Sequence, residues 1–438
     1  WYADRLLHTD RRWGITGVSL HSAGVRDALA PQDGLYSVSV QDEVPAVEIV
    51  GSIREVLVAS ENPAAVIERF ADPRLHVVTL TVTEKGYCLA ADGSLDATHL
   101  DVQRDLSQPD SPASVLGYLV AGLRRRRSLG LAAPAVISCD NVADNGRRLH
   151  GALVALARMQ DESLGRWIED EVRSPCTMVD SICPATTDAL RTEVAARLGM
   201  QDAWPVQRES FTQWVLEDLA LPGGPDWAGV GVTVTTDVAA FERAKLRILN
   251  CAHSTLAYLG LRAGCTSVAQ AMQQRDLVAC VRRMLVTEVL PVLRPAPGQD
   301  LTAYAETVLR RFGNRRIVHE LAQIAWDGSQ KLRFRVLGTV RDALALGRPI
   351  DDLCIPLAAW MWFVHWKAEQ ASAIVDPLAG RLAQFGAAWH HDATLDVDRF
   401  LSLHEVFGAD LPADLRFRAA LERAYERVAA WPAQPLSA

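Results

Sequence analysis

The sequence predicts a two-part protein, an α/β unit followed by a mainly helical unit. From residue 13 to about residue 238, short β-rich runs alternate with amphipathic helical runs, which is typical of βα units built around a parallel sheet. After Asp237 the β-rich runs stop, and helical segments follow one another between Pro- and Gly-containing turns. At 438 residues the chain is also longer than one hydrophobic core usually supports. We therefore expect two domains, residues 1–236 and 237–438.

The first domain is predicted to contain four buried strands and three cover helices. The strand segments are short, rich in β-branched residues and bounded by polar or turn residues. The helical segments carry apolar residues every three or four positions, and the last of them is expected to break near residues 162–165. The predicted strands are residues 13–20, 76–83, 134–141 and 230–237, and the predicted helices are residues 61–73, 111–127 and 146–172.

Charge and hydropathy exclude several classes of protein. The net charge is −8, and the one basic tract, residues 124–127, is short, so we expect no nucleic-acid partner. The longest apolar stretch, residues 357–366, is too short to span a membrane and contains His365, which predicts a buried helix instead. Eight irregularly spaced cysteines and no signal-like start favour reduced thiols in the cytoplasm. No heptad pattern is present, so a monomer is expected.

A polar turn after the third predicted strand is the first candidate site. The segment SCDNVADNG, residues 138–146, places Asp140 and Asn141 where a hydrophobic strand passes into a helix. Open α/β sheets bind ligands at this end of their strands. The alternative is that both side chains merely cap the following helix.

Two further candidates lie in the helical half. The apolar helix of residues 244–260 carries Lys245, Asn250 and His253, which fall within one half of an ideal α-helix. The alternative is a solvated lysine with a structurally bonded amide and imidazole. In residues 323–335, Asp327 and Gly328 indicate a helix break that would present Ser329 and Lys331 to an anionic or hydroxylated ligand, although a plain helix connection is as common.

Other chemistries lack their sequence signals. The chain has no Gly-x-Gly-x-x-Gly, no P-loop and no Tyr-x-x-x-Lys pair. His390, His391 and the scattered cysteines do not have the spacing of a zinc site. We therefore predict that no metal is bound.

Five segments occur in the chain in this order: CDNVADNG, MVDSICPATT, QWVLED, KLRILNCAHSTLAYLG and IAWDGSQK. Together they resemble the mannitol dehydrogenase family of long-chain polyol dehydrogenases, which includes fructuronate reductases. The resemblance implies a Rossmann-like amino-terminal domain, a mainly helical carboxy-terminal domain and an active site between them. It also implies metal-independent hydride transfer between NAD and a secondary alcohol of a polyol or sugar acid. NADP is the alternative cofactor, because no acidic residue for a ribose 2′-hydroxyl follows the strand at Leu20 and His21.

The resemblance also assigns roles to individual residues. Lys245 is implied to be the catalytic base, with Asn141 and Asn250 as amide donors to the developing alkoxide and His253 as a further catalytic residue. Substrate contacts are implied for Asp180, Lys331, Gln323 and Arg333. Gln323 stands where mannitol dehydrogenases carry Arg, and Arg333 where Pro is usual, so we expect sugar acids to be substrates at least as good as mannitol.

The start of the chain bears on the cofactor. The family's first strand and Gly-rich segment are expected upstream of Trp1, so the sequence assigns no cofactor-binding residues. This leaves a second hypothesis, a truncated or inactive family member that acts as a sugar-binding or scaffold protein.

Overall fold

Strands and helices alternate through the first half of the chain, as the sequence predicts. The computed structural model describes residues 1–42, 44–219 and 223–431, and its first unit is Trp1–Ala239. The strands of this unit are β1 (Ile15–Ser19), β2 (Tyr36–Gln41), β3 (Ala46–Val50), β4 (Ile53–Val58), β5 (Val77–Leu80), β6 (Ala135–Ser138), β7 (Thr177–Asp180), β8 (Val206–Glu209), β9 (Gln213–Glu217) and β10 (Thr233–Thr235). Its helices are α1 (Tyr2–Thr9), α2 (Gly24–Leu29), α3 (Pro63–Arg69), α4 (Leu100–Ser107), α5 (Val115–Ser128), α6 (Asn145–Gln160), α7 (Glu162–Glu171) and α8 (Asp188–Leu198).

The described strands pair in four small sheets that are mixed rather than purely parallel. The pairs β1–β4, β5–β6, β2–β8 and β9–β10 are parallel, as βα units require. Two pairs depart from the parallel arrangement, because β3 runs antiparallel to β2 and β7 antiparallel to β9. Strands β2, β3, β4, β7, β8 and β9 are not among the predicted strands, although β2 has the polar–apolar alternation that is typical of a strand.

The predicted long helix of the first unit is two helices. It breaks at Asp161, one residue before the predicted interval, and Asp161 accepts hydrogen bonds from the backbone N–H groups of Ser163 (2.7 Å) and Leu164 (3.4 Å). An aspartate in this position caps the second helix. The all-buried strand β6 lies directly before the pair and leads into it through the polar turn.

The second unit, Ala240–Ala438, is helical over its described residues, apart from one isolated bridge between Ser267 and Glu320. Three π-helical segments interrupt its α-helices, and we name them π1 (Lys245–Asn250), π2 (Leu285–Val289) and π3 (Arg333–Leu337). The α-helices are α9 (Val238–Ala244), α10 (Cys251–Arg262), α11 (Val268–Ala271), α12 (Arg275–Met284), α13 (Leu301–Phe312), α14 (Leu321–Ile324), α15 (Gly328–Leu332), α16 (Gly338–Ala345), α17 (Ile355–Glu369), α18 (Ala379–Ala387), α19 (Ala393–Leu401), α20 (His404–Phe407), α21 (Asp410–Ala413) and α22 (Leu415–Ala429).

Helix α10 lies at the centre of the second unit. All of its residues are buried, and it packs against α12, α14, α17 and π3. The predicted buried helix at residues 357–366 is the middle of α17, which supplies Trp360 and Met361 to the same core. Within the described residues, no helix combines the length and the apolar character that a membrane crossing would need.

Asn145, the first residue of α6, joins two strands of the first unit. It is buried, and its amide Nδ2 donates to the carbonyl oxygens of Asp140 (3.1 Å), Thr177 (3.2 Å) and Ser138 (3.3 Å). Its Oδ1 accepts a hydrogen bond from the backbone N–H of Thr177 (2.9 Å). The hydroxyl of Thr177 in turn donates to the carbonyl of Ser138 (2.5 Å), so one amide connects the end of β6 with the start of β7.

Substitution of this amide should destabilise the first unit. We expect Asn145→Ala to lower the free energy of unfolding by about 1–3 kcal/mol, because it leaves the buried Thr177 N–H without a partner. Asn145→Asp, which keeps the acceptor but cannot donate to three carbonyls, should also destabilise. Urea denaturation of the purified variants measures both effects. Unfolding midpoints equal to wild type in both variants would contradict this role of Asn145.

Candidate active site

Asp140 follows β6 and organises the turn beside it. Its carboxylate accepts hydrogen bonds from the backbone N–H groups of Val82 (2.9 Å) and Thr83 (3.1 Å) and from the hydroxyl of Tyr87 (2.7 Å). The alternative interpretation, that Asp140 caps the next helix, is therefore wrong. That helix, α6, begins after Asp144, which adopts the left-handed conformation (φ 51°) and makes no side-chain cap.

The two site residues predicted in the first unit lie at the carboxyl ends of β6 and β7, which belong to different sheets. Asn141 is exposed and comes just after β6. Asp180 is buried and is the last residue of β7, opposite Gln213 of β9. Since Asn145 ties β6 to β7, the positions of Asn141 and Asp180 are set by the same hydrogen-bond network. This is the end of an α/β sheet at which ligands bind.

Lys245 and Asn250 are the first and last residues of π1. An ideal α-helix would place them well apart around the axis, and the sequence prediction assumed that geometry. In a π-helix the hydrogen bonds reach five residues back rather than four, so a turn contains more residues and Lys245 and Asn250 come closer to one face. Both side chains are half-buried. π-Helical turns of this kind occur frequently at functional sites.

His253 lies one turn further along, in the buried helix α10. Its imidazole stacks on Phe312, with ring centroids 4.2 Å apart, and meets His319 edge-on at 4.8 Å. Burial, followed by the charges of His319 and Arg335, lowers the pKa of His253 well below its ordinary value, so the ring is neutral at pH 7. Its Nε2 atom is buried and has no hydrogen-bond partner among the described residues. Buried polar atoms are usually hydrogen-bonded, so Nε2 is suited to a ligand hydroxyl.

The predicted break at Asp327 and Gly328 is confirmed. Helix α14 ends at Ile324, Asp327 adopts the left-handed conformation (φ 55°), and α15 begins at Gly328. A Cβ at Gly328 would lie 2.5 Å from both the Tyr258 hydroxyl and the Trp360 indole nitrogen, so only glycine permits this close approach.

Lys331, on α15, is half-buried. Its Nζ donates a long hydrogen bond to the carbonyl of Ile324 (3.4 Å). Burial and then the charge of Arg335 lower the pKa of Lys331, whereas Asp327 and Asp376 act in the opposite direction. The helix break thus places a partly desolvated cation beside a second cation.

Gln323 and Arg333, the two remaining predicted substrate contacts, are exposed. The guanidinium of Arg333 lies over the ring of Phe334, 5.6 Å from its centroid. The cation that lowers the pKa of Lys331 is Arg335, which is not among the predicted site residues. The signal was present, because residues four apart share a helix face.

One group of possible metal ligands occurs in the described part of the chain. Cys88, His99 and Asp101 offer ligand atoms within 4.8 Å of one another. The Nδ1 atom of His99 already accepts a hydrogen bond from the backbone N–H of Asp101 (3.2 Å). Burial, followed by neighbouring carboxylates, raises the pKa of the Cys88 thiol to about 11, which disfavours the thiolate that would bind a metal. None of the eight predicted site residues belongs to this group.

The comparison with family models decides the relationship. Residues 2–229 match the mannitol dehydrogenase Rossmann domain, and residues 237–429 match the mannitol dehydrogenase C-terminal domain. The chain belongs to the mannitol dehydrogenase family. The predicted fold class, a Rossmann-like domain followed by a mainly helical domain, is confirmed by the same matches.

Individual members of the mannitol dehydrogenase family match nearly the whole chain. The D-mannonate oxidoreductase of Escherichia coli (strain K12) is 38% identical over 98% of this chain and 89% of its own length. The mannitol 2-dehydrogenase of Phaeosphaeria nodorum is 36% identical over 97% of this chain and 76% of its own length. The solved structure of Pseudomonas fluorescens mannitol 2-dehydrogenase, a ternary complex with NAD and D-mannitol, is 36% identical with a TM-score of 0.80, covering 98% of this chain and 88% of that one.

The neutral state of His253 predicts a pH dependence of stability. In the unfolded chain a histidine binds a proton near pH 6.5, whereas in the fold the pKa of His253 lies well below that value. The unfolded state therefore binds more protons as the pH falls below about 6.5, and stability decreases. We expect His253→Gln, which cannot titrate, to lose less stability than wild type between pH 7 and pH 5.

Urea midpoints at several pH values measure this difference. The exposed His21 provides a control, because His21→Gln should leave the wild-type pH dependence in place. Parallel pH curves for wild type and His253→Gln would show that His253 is not held neutral in the fold.

Proposed function

We propose that this protein is an NAD-dependent oxidoreductase that transfers hydride between a nicotinamide cofactor and a secondary alcohol of a polyol or sugar acid. Two observations support the proposal. Family relatives named as mannonate and mannitol oxidoreductases match nearly the whole chain. The main structural support is the segment π1–α10, where Lys245, Asn250 and a neutral His253 occupy one continuous stretch of helix.

Each of these groups suits one requirement of alcohol oxidation. As the hydride leaves carbon, the hydroxyl must lose its proton, and we assign the acceptor to Nζ of Lys245. The oxygen develops negative charge, which the amide N–H group of Asn250 can stabilise by hydrogen bonding, and the family resemblance implies the same role for Asn141. Neutral His253 can orient a hydroxyl through Nε2 without adding a charge. In this scheme the roles of Asp180, Lys331 and Gln323 are to bind further substrate hydroxyls.

The first unit has the features expected around a dinucleotide. Its parallel pair β1–β4 ends at Ser19 and Val58, and the segment after β1, Leu20 and His21, stands where a Rossmann-like fold meets the cofactor ribose. The backbone there is held, since Ser60 N donates to Leu20 O (3.1 Å) and the Ser60 hydroxyl to His21 O (3.3 Å). When bound, the nicotinamide exchanges a hydride with the substrate carbon. NADP is the alternative, because neither Leu20 nor His21 is acidic.

The cellular setting follows from the same features. We propose a cytoplasmic monomer, without a nucleic-acid or membrane partner, that acts on a small-molecule substrate. All eight cysteines are free thiols, which suits a reducing compartment. The other hypothesis, a sugar-binding or scaffold protein without turnover, has less support, because Lys245, Asn250, His253 and Asn141 are all present.

Removal of the base should abolish most of the activity. We expect Lys245→Ala to lower kcat by roughly a hundredfold or more in the oxidation of mannitol or mannonate, the scale of a lost general base. It should also remove the rise in rate with pH, which in wild type should follow one ionisation below the roughly 10.4 of a free lysine. Small amines should partly restore the rate. Stopped-flow assays across pH measure these effects.

The exposed Lys85 provides the matched control, and Lys85→Ala should keep wild-type kinetics. If the Lys245→Ala enzyme turns over within a few-fold of wild type and its pH profile is unchanged, Lys245 is not the catalytic base. His253 would then be the next candidate.

Metal removal should have no effect on turnover. A lysine base with amide donors needs no Lewis acid, and the eight assigned site residues include no cysteine. We expect dialysis against a strong chelator to leave kcat unchanged, as measured by the reduction of NAD with a polyol or aldonate substrate. Activity that disappears on dialysis and returns with zinc would contradict metal independence.

A further inference from the structure

Arg335 lies in π3, four residues after Lys331, and is half-buried. Its Nη1 donates to the hydroxyl of Ser254 (3.1 Å), the residue that follows His253 on α10. Burial is the main cause that lowers the pKa of Arg335, and the groups that oppose this are Tyr258 and Cys251 rather than a carboxylate. Among the described residues, Arg335 therefore has neither an ion-pair partner nor a second side-chain hydrogen bond.

Two other arginines of this protein make more hydrogen bonds than Arg335. Arg126 donates to four backbone carbonyls, and Arg283 forms an ion pair with Asp352 through two hydrogen bonds (2.6 and 2.8 Å). A guanidinium has five N–H donors, so most of those on Arg335 have no partner among the described residues. Its environment differs from those of Arg126 and Arg283.

The carboxylate of Asp376, which lies near Lys331, does not offset the positive charge of Arg335. Asp376 accepts hydrogen bonds from the backbone N–H and the hydroxyl of Ser329 (2.8 and 2.5 Å) and from the backbone N–H of Leu378 (2.8 Å). Arg335 and Lys331 thus stand as two neighbouring cations. Asp327 and Asp376 oppose the effect of burial on Lys331, whereas no carboxylate does so for Arg335. An anion bound between them would relieve the cost of this burial.

We propose that Arg335 binds the carboxylate of a sugar-acid substrate and thereby determines the preference of this enzyme for sugar acids over uncharged polyols. The inference rests on the proposed function, and it replaces Arg333 as the expected carboxylate partner. A planar guanidinium with neighbouring free N–H donors pairs with a carboxylate through two parallel hydrogen bonds. Lys331 adds a second positive charge, and His253, beside Ser254, is available to a hydroxyl of the same molecule.

Substrate discrimination tests the proposal. We expect Arg335→Gln to lower kcat/KM for D-mannonate by at least about 30-fold, the effect of removing one partner of a desolvated charge pair, mainly through KM. The value for D-mannitol should change only a few-fold. Arg333→Gln removes the same charge two residues away on an exposed side chain and should leave both values near wild type. Arg335→Lys should recover part of the loss.

Ser254→Ala tests the same site without changing the charge. It removes the hydrogen bond that orients Arg335 and should raise KM for D-mannonate several-fold while sparing D-mannitol. If Arg335→Gln melts at a lower temperature than wild type, Ser254→Ala and Arg335→Lys still test whether Arg335 binds the substrate carboxylate. Equal losses on both substrates would assign Arg335 a structural role and overturn the proposal.

Two further measurements separate the remaining explanations. D-Mannitol 1-phosphate, used as a third probe, would overturn the carboxylate assignment if Arg335→Gln weakened its turnover more than that of D-mannonate. If wild type oxidises none of the compounds, the proposed function fails. Calorimetric binding of D-mannonate to wild type and Arg335→Gln then tests Arg335 by itself, and equal affinities would reject it.

Discussion

The complete burial of α10 is the constraint on which the second unit depends. A helix without a solvent-facing side must find partners for its polar side chains among its neighbours. The hydroxyl of Thr255 bonds to the carbonyl of Cys251, Tyr258 to the carbonyl of Ala325, and Ser254 to Arg335. Two polar atoms of α10, His253 Nε2 and Arg262 Nε, have no hydrogen-bond partner in the described chain. The first of them lies one residue from the Ser254–Arg335 contact, where the proposed substrate site is centred.

The π-helical turns allow this buried helix to carry polar groups. Segment π1 leads directly into α10, and it packs against both π2 and π3. An α-helix would place Lys245 and Asn250 about 140° apart around the axis, whereas the wider turn brings them closer together. Segment π3 begins two residues after Lys331 and contains Arg335. The residues proposed for catalysis and for substrate selection therefore depend on local departures from α geometry, which the surrounding core holds in place.

Charge is distributed unevenly around this site. His253 is neutral because it is buried and because cations surround it. The positive charge of Arg335 lowers the pKa of Lys331 and so disfavours its charged form. Of the acidic groups near Lys331, Asp376 already accepts three hydrogen bonds, two from Ser329 and one from the backbone N–H of Leu378. A site with this balance favours a ligand that carries both hydroxyl groups and a negative charge.

The sequence by itself determined the division into an α/β half and a helical half, the strands β1, β5, β6 and β10, the break at Asp327 and the family. Hydrophobic periodicity and turn residues are local properties, and the family motifs are contiguous, so the sequence displays them directly. Only the tertiary structure decided that Asp140 ties two loops together, that β3 and β7 run antiparallel, and that Arg335 rather than Arg333 faces Lys331. Strand direction and the hydrogen bonds of Asp140 depend on contacts between residues distant in sequence, and no local pattern encodes them. The four-residue spacing of Lys331 and Arg335 is visible in the sequence, but the contact of Arg335 with Ser254 of α10 is not.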